Sequence, residues 1–188
     1  ARSELKGAAD YYQDDTIIDN DVILCAREYA NLLRKKGLDN FAEMPQGHFD
    51  PLMGVGSGAG LIFGNTGGVM EAAVRSAYYF VTGNEPPEDL LHLEAVRGLD
   101  GIKRATVNIP GAGEVKVVVA HGLGNARKLC EEVRAGKADF HFMEVMACPG
   151  GCISGGGQPR TSVPPQDWVR QARIDSMYAK DAASAQFS

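Results

Sequence analysis

The stretch "VKVVVAHGLGNARKLCEEVRAGKADFHFMEVMACPGGC", Val115 to Cys152, carries the reading of the fold. It opens on an apolar run, Val115 to Ala120, of the kind expected for a buried strand in a parallel sheet. "HGLGNARKLCEEVRAG" follows, with Ala126, Leu129, Cys130 and Val133 on one helical face and Gly136 as the stop. "ADFHFMEVMA" is the next strand, and it delivers the chain to Cys148. Strand, helix and strand in that order predict a right-handed crossover and an α/β sheet. Loops beyond the C-terminal strand ends of such sheets carry ligands. Two cysteines, Cys148 and Cys152, stand at one of those ends.

Working outward, Lys103 to Ile109 reads as a further strand and "GAGE" as a turn. In "LIFGNTGGVMEAAVRSAYYFVTG", Leu61 to Phe63 predicts a short buried strand. Thr66 can cap a helix that carries Val69, Met70, Ala73, Ala77 and Phe80 inward and ends at Gly83. "DVILCAREYANLLRKKG" predicts a short strand, Val22 to Leu24, running into a helix with Ala26, Tyr29, Ala30 and Leu33 on one face and Gly37 as its stop. "DNFAEMPQGHFDPLMGVGSGAG" has the composition of a loop, and "NEPPEDLLHLEAVRGLDG" that of a polar connection with a short helix. The tail is expected to be helical from Trp168 to Ala179. Together these elements predict an α/β fold with a largely parallel sheet and flanking helices.

The chain has 188 residues, 44% of them hydrophobic, which suits one globular domain or two small lobes. A net charge of -5 without any basic run argues against nucleic acid and anionic membrane surfaces as partners. No apolar stretch has the length of a membrane span and no signal peptide is visible, so no membrane insertion is expected. A cytoplasmic location is expected, with the periplasm as the alternative. The chain opens at "ARSELKG" without Met, which leaves room for a processed leader or a longer precursor.

The four cysteines, Cys25, Cys130, Cys148 and Cys152, are too few for a disulfide-dense scaffold of this size. A close pair points instead to metal binding or redox work. Thiolates bind soft metals: zinc, copper(I) and the iron of iron–sulfur clusters. On a helical turn Cys148 and Cys152 would point the same way, and Pro149 suits a first turn. Gly150, Gly151 and the run Gly155 to Gly157 let backbone approach a bulky inorganic object and aim N–H groups at sulfide or anionic ligands. A zinc site would ordinarily add a second pair of Cys or His and lack this glycine packing. A cubane needs four protein ligands. Cys25 opens a helix and Cys130 lies on a core face, and both read as small buried hydrophobes. The missing ligands are therefore expected outside the chain.

These residues carry a family resemblance. "MEVMACPGGCISGGGQP" resembles the third signature of the iron-only (di-iron) hydrogenases, and "FGNTGGVMEAAVRSA" resembles a second block of that family. "GSGAGLIFG" and "VRGLDGIKRATV" are similar to it as well, so the likeness covers nearly the whole chain. The resemblance implies an H-cluster: a 4Fe-4S cubane bridged by a cysteine to a di-iron unit carrying carbon monoxide, cyanide and a dithiolate. It makes Cys148 a cubane ligand and Cys152 the ligand that bridges cubane and di-iron unit. Phe63, Val69 and Met146 match positions that line the di-iron pocket, and Gly64 sits where backbone can approach that unit. The implied reaction is the reversible reduction of protons to hydrogen, with electrons from a carrier such as ferredoxin.

Glu71 and Glu144 read as surface or helix-start charges rather than proton carriers. His48, His92, His121 and His141 match no motif of the family, and His121, at a strand end, is expected to be structural. The family's first two signatures, Thr-Ser-Cys-Cys-Pro and Met-Pro-Cys followed by lysines, are absent, and so is the Ser-His-Glu-Asn-Pro stretch that follows such a tail. Residues 1–160 are accordingly read as an incomplete portion of the H-cluster domain and 161–188 as its tail. The remaining part of the catalytic domain is the expected partner, and the fragment alone is expected to be inactive. The alternatives are a non-catalytic iron–sulfur assembly protein of the prelamin-recognition-factor type, a hydrogen-sensing relative, and a plain zinc or redox-thiol α/β domain.

Overall fold

A computed structural model describes residues 22–48, 56–160, 162 and 166–184. Residues 49–55 of the predicted loop and the prolines before the tail helix lie outside that description. The chain divides into two units, one of residues 1–48 with 156–159 and one of residues 49–155 with 160–188.

In the smaller unit, helix α1 (Ala26–Lys35) starts where the Cys25 N–H donates to the Glu28 carboxylate at 2.9 Å. It ends before Gly37, whose φ of +70° explains the stop the sequence predicted. The Arg27 N–H and guanidinium donate to the Gly157 and Gly156 carbonyls at 3.3 and 3.0 Å. A Cβ at Gly157 would overlap that of Cys25, so this glycine makes room for a cysteine of its own unit. Val22–Leu24, expected as a strand, pairs with nothing among the described residues.

The larger unit is built on three strands in the order β1 (Ile102–Ile109), β2 (Gly113–His121) and β3 (Phe142–Met146). The α/β class expected from the sequence is borne out, and its parallel character only in part. β2 and β3 are parallel, with α5 (Leu123–Arg134) between them, whereas β1 and β2 form an antiparallel hairpin. Its turn has Pro110 followed by Gly111 at φ +89°, and the Ala112 N–H donates to the Ile109 carbonyl at 2.9 Å. The apolar run in β2 suggested parallel neighbours, but its cause is burial on both faces. Val117 and Val119 pack under α3 (Gly68–Thr82), while Val118 and Ala120 pack against Leu129 of α5.

Three expectations about packing fail for identifiable reasons. Leu61–Phe63 is no strand: α2 (Gly58–Ile62) covers most of it, opened by Ser57, whose hydroxyl accepts from the Gly60 N–H at 3.3 Å. Phe80 is 83% exposed, since the face that α3 buries among its core residues, Met70 and Val74, does not extend to it. Cys130 is exposed and not a core residue, since α5 buries only the narrow stripe of Ala126 and Leu129. α3 itself ends as predicted, at Gly83 with φ +69°. The polar connection after it holds a single turn, α4 (Glu88–Leu91).

The tail helix α6 (Asp167–Ala182) is anchored by a buried ionic cluster that sequence periodicity does not reveal. Arg75, fully buried in α3, donates to both oxygens of Asp181 at 2.9 and 2.7 Å and to Glu71 at 3.0 Å. Arg97 closes the cluster by donating to both Glu71 oxygens, and its guanidinium lies 3.9 Å above the Tyr178 ring. Glu71, expected as a surface or helix-start charge, is thus a buried acceptor in the first turn of α3. Removing one partner of such a pair strands a buried charge. Asp181→Ala is expected to lower stability by about 3–5 kcal/mol in urea denaturation, and an unchanged midpoint would show that α6 is not anchored there.

Candidate metal centre

β3 ends at Met146, and the two thiols follow on a turn that the structure defines by its bonds. The Gly151 N–H donates to the Cys148 carbonyl at 3.0 Å, Pro149 occupies the second position and Gly150 the third, with φ +80°. This is the pattern of a type II turn. The helical turn expected for the cysteine pair is absent here: the chain becomes helical only at the short 3₁₀ segment Cys152–Ser154. Proline therefore presets the turn's second residue, and glycine supplies the positive φ of its third.

Gly151 has φ +95° and ψ -161°, a region open almost only to glycine. A Cβ there would stand 2.7 Å from the Gly64 carbonyl oxygen, 2.8 Å from the Thr66 nitrogen and 2.8 Å from the Met146 sulfur. The sequence suggested that these glycines clear space for an inorganic group. At Gly151 the space is used by the protein's own backbone. Two further bonds tie the same segments together: Thr66 N–H to the Gly150 carbonyl at 3.1 Å, and Ile153 N–H to the Gly64 carbonyl at 3.2 Å. From α6, the Arg173 guanidinium donates to the Ile153 carbonyl at 2.6 Å and Arg170 to the Ser154 hydroxyl at 3.2 Å.

Gly64, Met146, Cys148 and Cys152 therefore gather around one turn. Cys148 is half-buried and Cys152 exposed. Phe63 and Val69 also come together. They line a groove of about 290 Å³ between α2 and α3, with Ala59, Ala72 and Ser76, and no described residue of the cysteine turn lines it. Phe63 is 50% exposed. The donor set of the turn is two thiols, and among the described residues no group of three His, Cys, Asp or Glu side chains converges on a metal position. Two soft thiolates on a turn shaped by the protein's own bonds fit half the ligation of a cubane.

The sequence reading missed what supports this turn from below. Glu144 lies on β3 two residues before Met146 and shares its face. Its carboxylate accepts the Gly67 N–H at 2.7 Å and the Met70 N–H at 2.6 Å, so a strand residue caps α3 across the fold. It replaces Thr66, the expected cap, whose carbonyl instead accepts from Lys103 at 3.1 Å. Burial raises the Glu144 pKa, against the two backbone bonds and Lys103. Lys103 is itself buried, with its Nζ also donating to the Gly98 carbonyl at 2.9 Å. Burial lowers its pKa from 10.5 to about 8, against the pull of Glu144 and Asp100. A charged residue at an inward strand position was the available signal: Lys103 shares the face of Val107 and Ile109, and Glu144 that of Phe142 and Met146.

His121, read as structural, is 8% exposed at the end of β2, and its Nδ1 accepts the Gly150 N–H at 3.1 Å. Burial first, then the positive charges of Lys103 and Arg170, lower its pKa. An Nδ1 that accepts this N–H carries no proton itself, which puts the proton of a neutral ring on Nε2.

A sheet that delivers two thiols on a glycine turn offers soft donors for a metal, and the comparisons show the family. Residues 4–156 match the family model of the iron only hydrogenase large subunit, C-terminal domain. The chain is 55% identical over 141 residues, 75% of its length, to the periplasmic Fe hydrogenase large subunit of Nitratidesulfovibrio vulgaris, and spans 32% of that protein. A solved structure of a variant of the FeFe hydrogenase HydA1 from Chlamydomonas reinhardtii superposes with a TM-score of 0.70 at 36% identity, covering 100% of this chain and 53% of the other. Protein NAR1 of Arabidopsis thaliana is more distant, 26% identical over 185 residues, 92% of this chain and 38% of its own length. The chain belongs to the iron-only hydrogenase family and matches the C-terminal domain of its large subunit.

Gly151→Ala is expected to cost about 2–4 kcal/mol, from the forbidden φ together with the clash against Gly64 and Thr66. Denaturation of the variant checks this, and a loss within error of zero would mean that the turn can adopt another shape. Lys103 binds its proton more weakly folded than unfolded, so its contribution to stability rises from about pH 8 to pH 10.5 and is a cost below that window. The stability difference between the protein and Lys103→Met is expected to shift in the protein's favour across that range. A flat difference would show that Lys103 titrates normally.

Proposed function

We propose that this chain contributes half of the cysteine cradle of a hydrogenase that reversibly reduces protons to hydrogen, drawing electrons from an external carrier such as ferredoxin. The observation that carries this reading is the pair of free thiols on a type II turn at the C-terminal end of a parallel strand, bonded on both sides to the Gly64–Thr66 loop. Cys148 would ligate the cubane, and Cys152 would ligate it and bridge to the di-iron unit. When bound, the H-cluster supplies electron storage and the metal position at which protons and electrons combine. The chain's own residues do the remainder. Met146 presents its sulfur beside the turn, and Gly64 brings backbone to it without a side chain. Phe63 and Val69, in their shared groove, offer apolar surface that would keep water from the di-iron position. Domain boundaries follow this reading, with residues 1–160 as part of the H-cluster domain and 161–188 as its tail.

Two thiols are half of what a cubane requires, so the remaining part of the catalytic domain would be the partner that supplies the other two. Iron–sulfur assembly proteins are the second reading, favoured by one observation, a match to the cytosolic iron-sulfur assembly component 3 of Pongo abelii along 93% of this chain. The hydrogenase reading is preferred because 55% identity to a hydrogenase subunit exceeds 27% to that protein. No helix among the described residues is long and apolar enough to cross a membrane.

Infrared spectra of the matured full-length protein are expected to contain bands of metal-bound carbon monoxide and cyanide, and Cys152→Ala is expected to lose them together with hydrogen turnover. A cubane signal without those bands would support the assembly reading instead. Normal turnover in Cys152→Ala would remove this residue from its bridging role.

A further inference from the structure

We propose that His121 is a positioning residue for the cysteine turn: by accepting the Gly150 amide it fixes Cys148 and Cys152 relative to the end of the sheet. The bond is a property of the chain itself. Its consequence for a metal rests on the hydrogenase reading above.

The geometry isolates a single role for the ring. His121 is the last residue of β2, in register with Met146, the last of β3, and the Gly122 N–H donates to the Met146 carbonyl at 2.8 Å. The two strand ends are therefore tied before the chain turns at Cys148. On its other side the turn is bonded to Gly64 and Thr66 through Ile153 and the Gly150 carbonyl. Among the described residues, the bond from Gly150 N–H to His121 Nδ1, 3.1 Å long, is the side-chain tie from β2 to the turn. It falls on the residue at the centre of the motif, midway between the two thiols, where φ is +80° and the backbone is buried. A buried N–H that loses its acceptor costs about 1–3 kcal/mol, and a type II turn has other shapes available to escape that cost.

The identity of the acceptor matters. Nδ1 can accept only as a neutral ring protonated on Nε2. Burial first, then the charges of Lys103 and Arg170, oppose a second proton on the ring, against the pull of Asp100. The backbone around the ring adds to this. The His121 N–H is taken by the Gly101 carbonyl at 3.1 Å, and the His121 carbonyl accepts the Asn125 side-chain amide at 2.9 Å. His121 is thus held at both main-chain groups, and its ring is a fixed post rather than a mobile one. Outer partners that orient metal ligands are worth roughly 10–100-fold in metal affinity. Loosening Gly150 changes the separation of both thiols at once.

Asparagine is the discriminating substitution, because its Oδ1 falls where the histidine Nδ1 lies, while leucine keeps bulk and removes the acceptor. In the full-length protein without metal, His121→Leu is expected to speed amide exchange at Gly150 about tenfold. Exchange at Ala126 and Leu129 stays unchanged, and His121→Asn restores Gly150. In the protein reconstituted with iron and sulfide, His121→Leu is expected to lose the cubane to a chelator roughly 10–100-fold faster and to alter the paramagnetic signature of the reduced cubane, with Asn again close to the original. Nitrogen NMR is expected to find Nδ1 of His121 unprotonated. A protonated Nδ1, or wild-type Gly150 exchange and cubane retention in His121→Leu, overturns the proposal. If His121→Leu fails to fold, the Asn variant and the Nδ1 shift decide it. A full-length protein that takes up no cubane, yet shows the Gly150 effect, supports the positioning bond and defeats the hydrogenase reading.

Discussion

The Glu144 carboxylate is the point on which the larger unit depends. It reaches from β3 to accept the N–H groups of Gly67 and Met70, two of the unpaired donors at the start of α3. The interaction is charge-assisted and buried, where removing an acceptor is costly. Lys103, buried below the same loop, supplies the compensating positive charge. Everything at the strand ends is built on this join of strand and helix.

Two consequences follow for the cysteine turn. The Gly64–Thr66 loop is held from one side by the Lys103 ammonium on the Thr66 carbonyl and from the other by the bonds to Gly150 and Ile153. The turn is therefore shaped by protein bonds, and Gly151 is required because the backbone of Gly64 and Thr66 approaches it. The buried cluster of Arg75, Asp181, Glu71 and Arg97 then clamps α6 against α3, and α6 returns Arg170 and Arg173 to the segment just after Cys152. Charged groups of low exposure thus frame a site whose proposed chemistry is ionic and redox.

Much of this was legible in the chain, and the rest has a common physical cause. Helix ends at Gly37 and Gly83 could be read because a positive φ is a local demand that one residue type meets. The ends of β1 could be read because alternation and the turn residues after Ile109 are local too. Pairing direction could not: the apolar run in β2 reports how many faces are covered, not which way the neighbour runs. The inward charges Lys103 and Glu144 were visible as interruptions of alternation, but their partners lie 37 and more than 70 residues away in sequence. Cys130 and Phe80 shared helical faces with core residues and are still exposed, since periodicity defines a face and not how far the opposing layer extends.

By itself the sequence determined the class of the fold, the position of two thiols at a strand end, and the family, because spacing and local backbone preference are written residue by residue. The tertiary structure alone decided that the thiols sit on a type II turn, that Gly151 yields its space to Gly64, Thr66 and Met146, and that Phe63 and Val69 share a groove between α2 and α3. It also decided that His121 and Glu144 brace this end of the sheet. Those outcomes depend on contacts between segments far apart in the chain, whose meeting is settled by packing and by the need to satisfy every buried polar group.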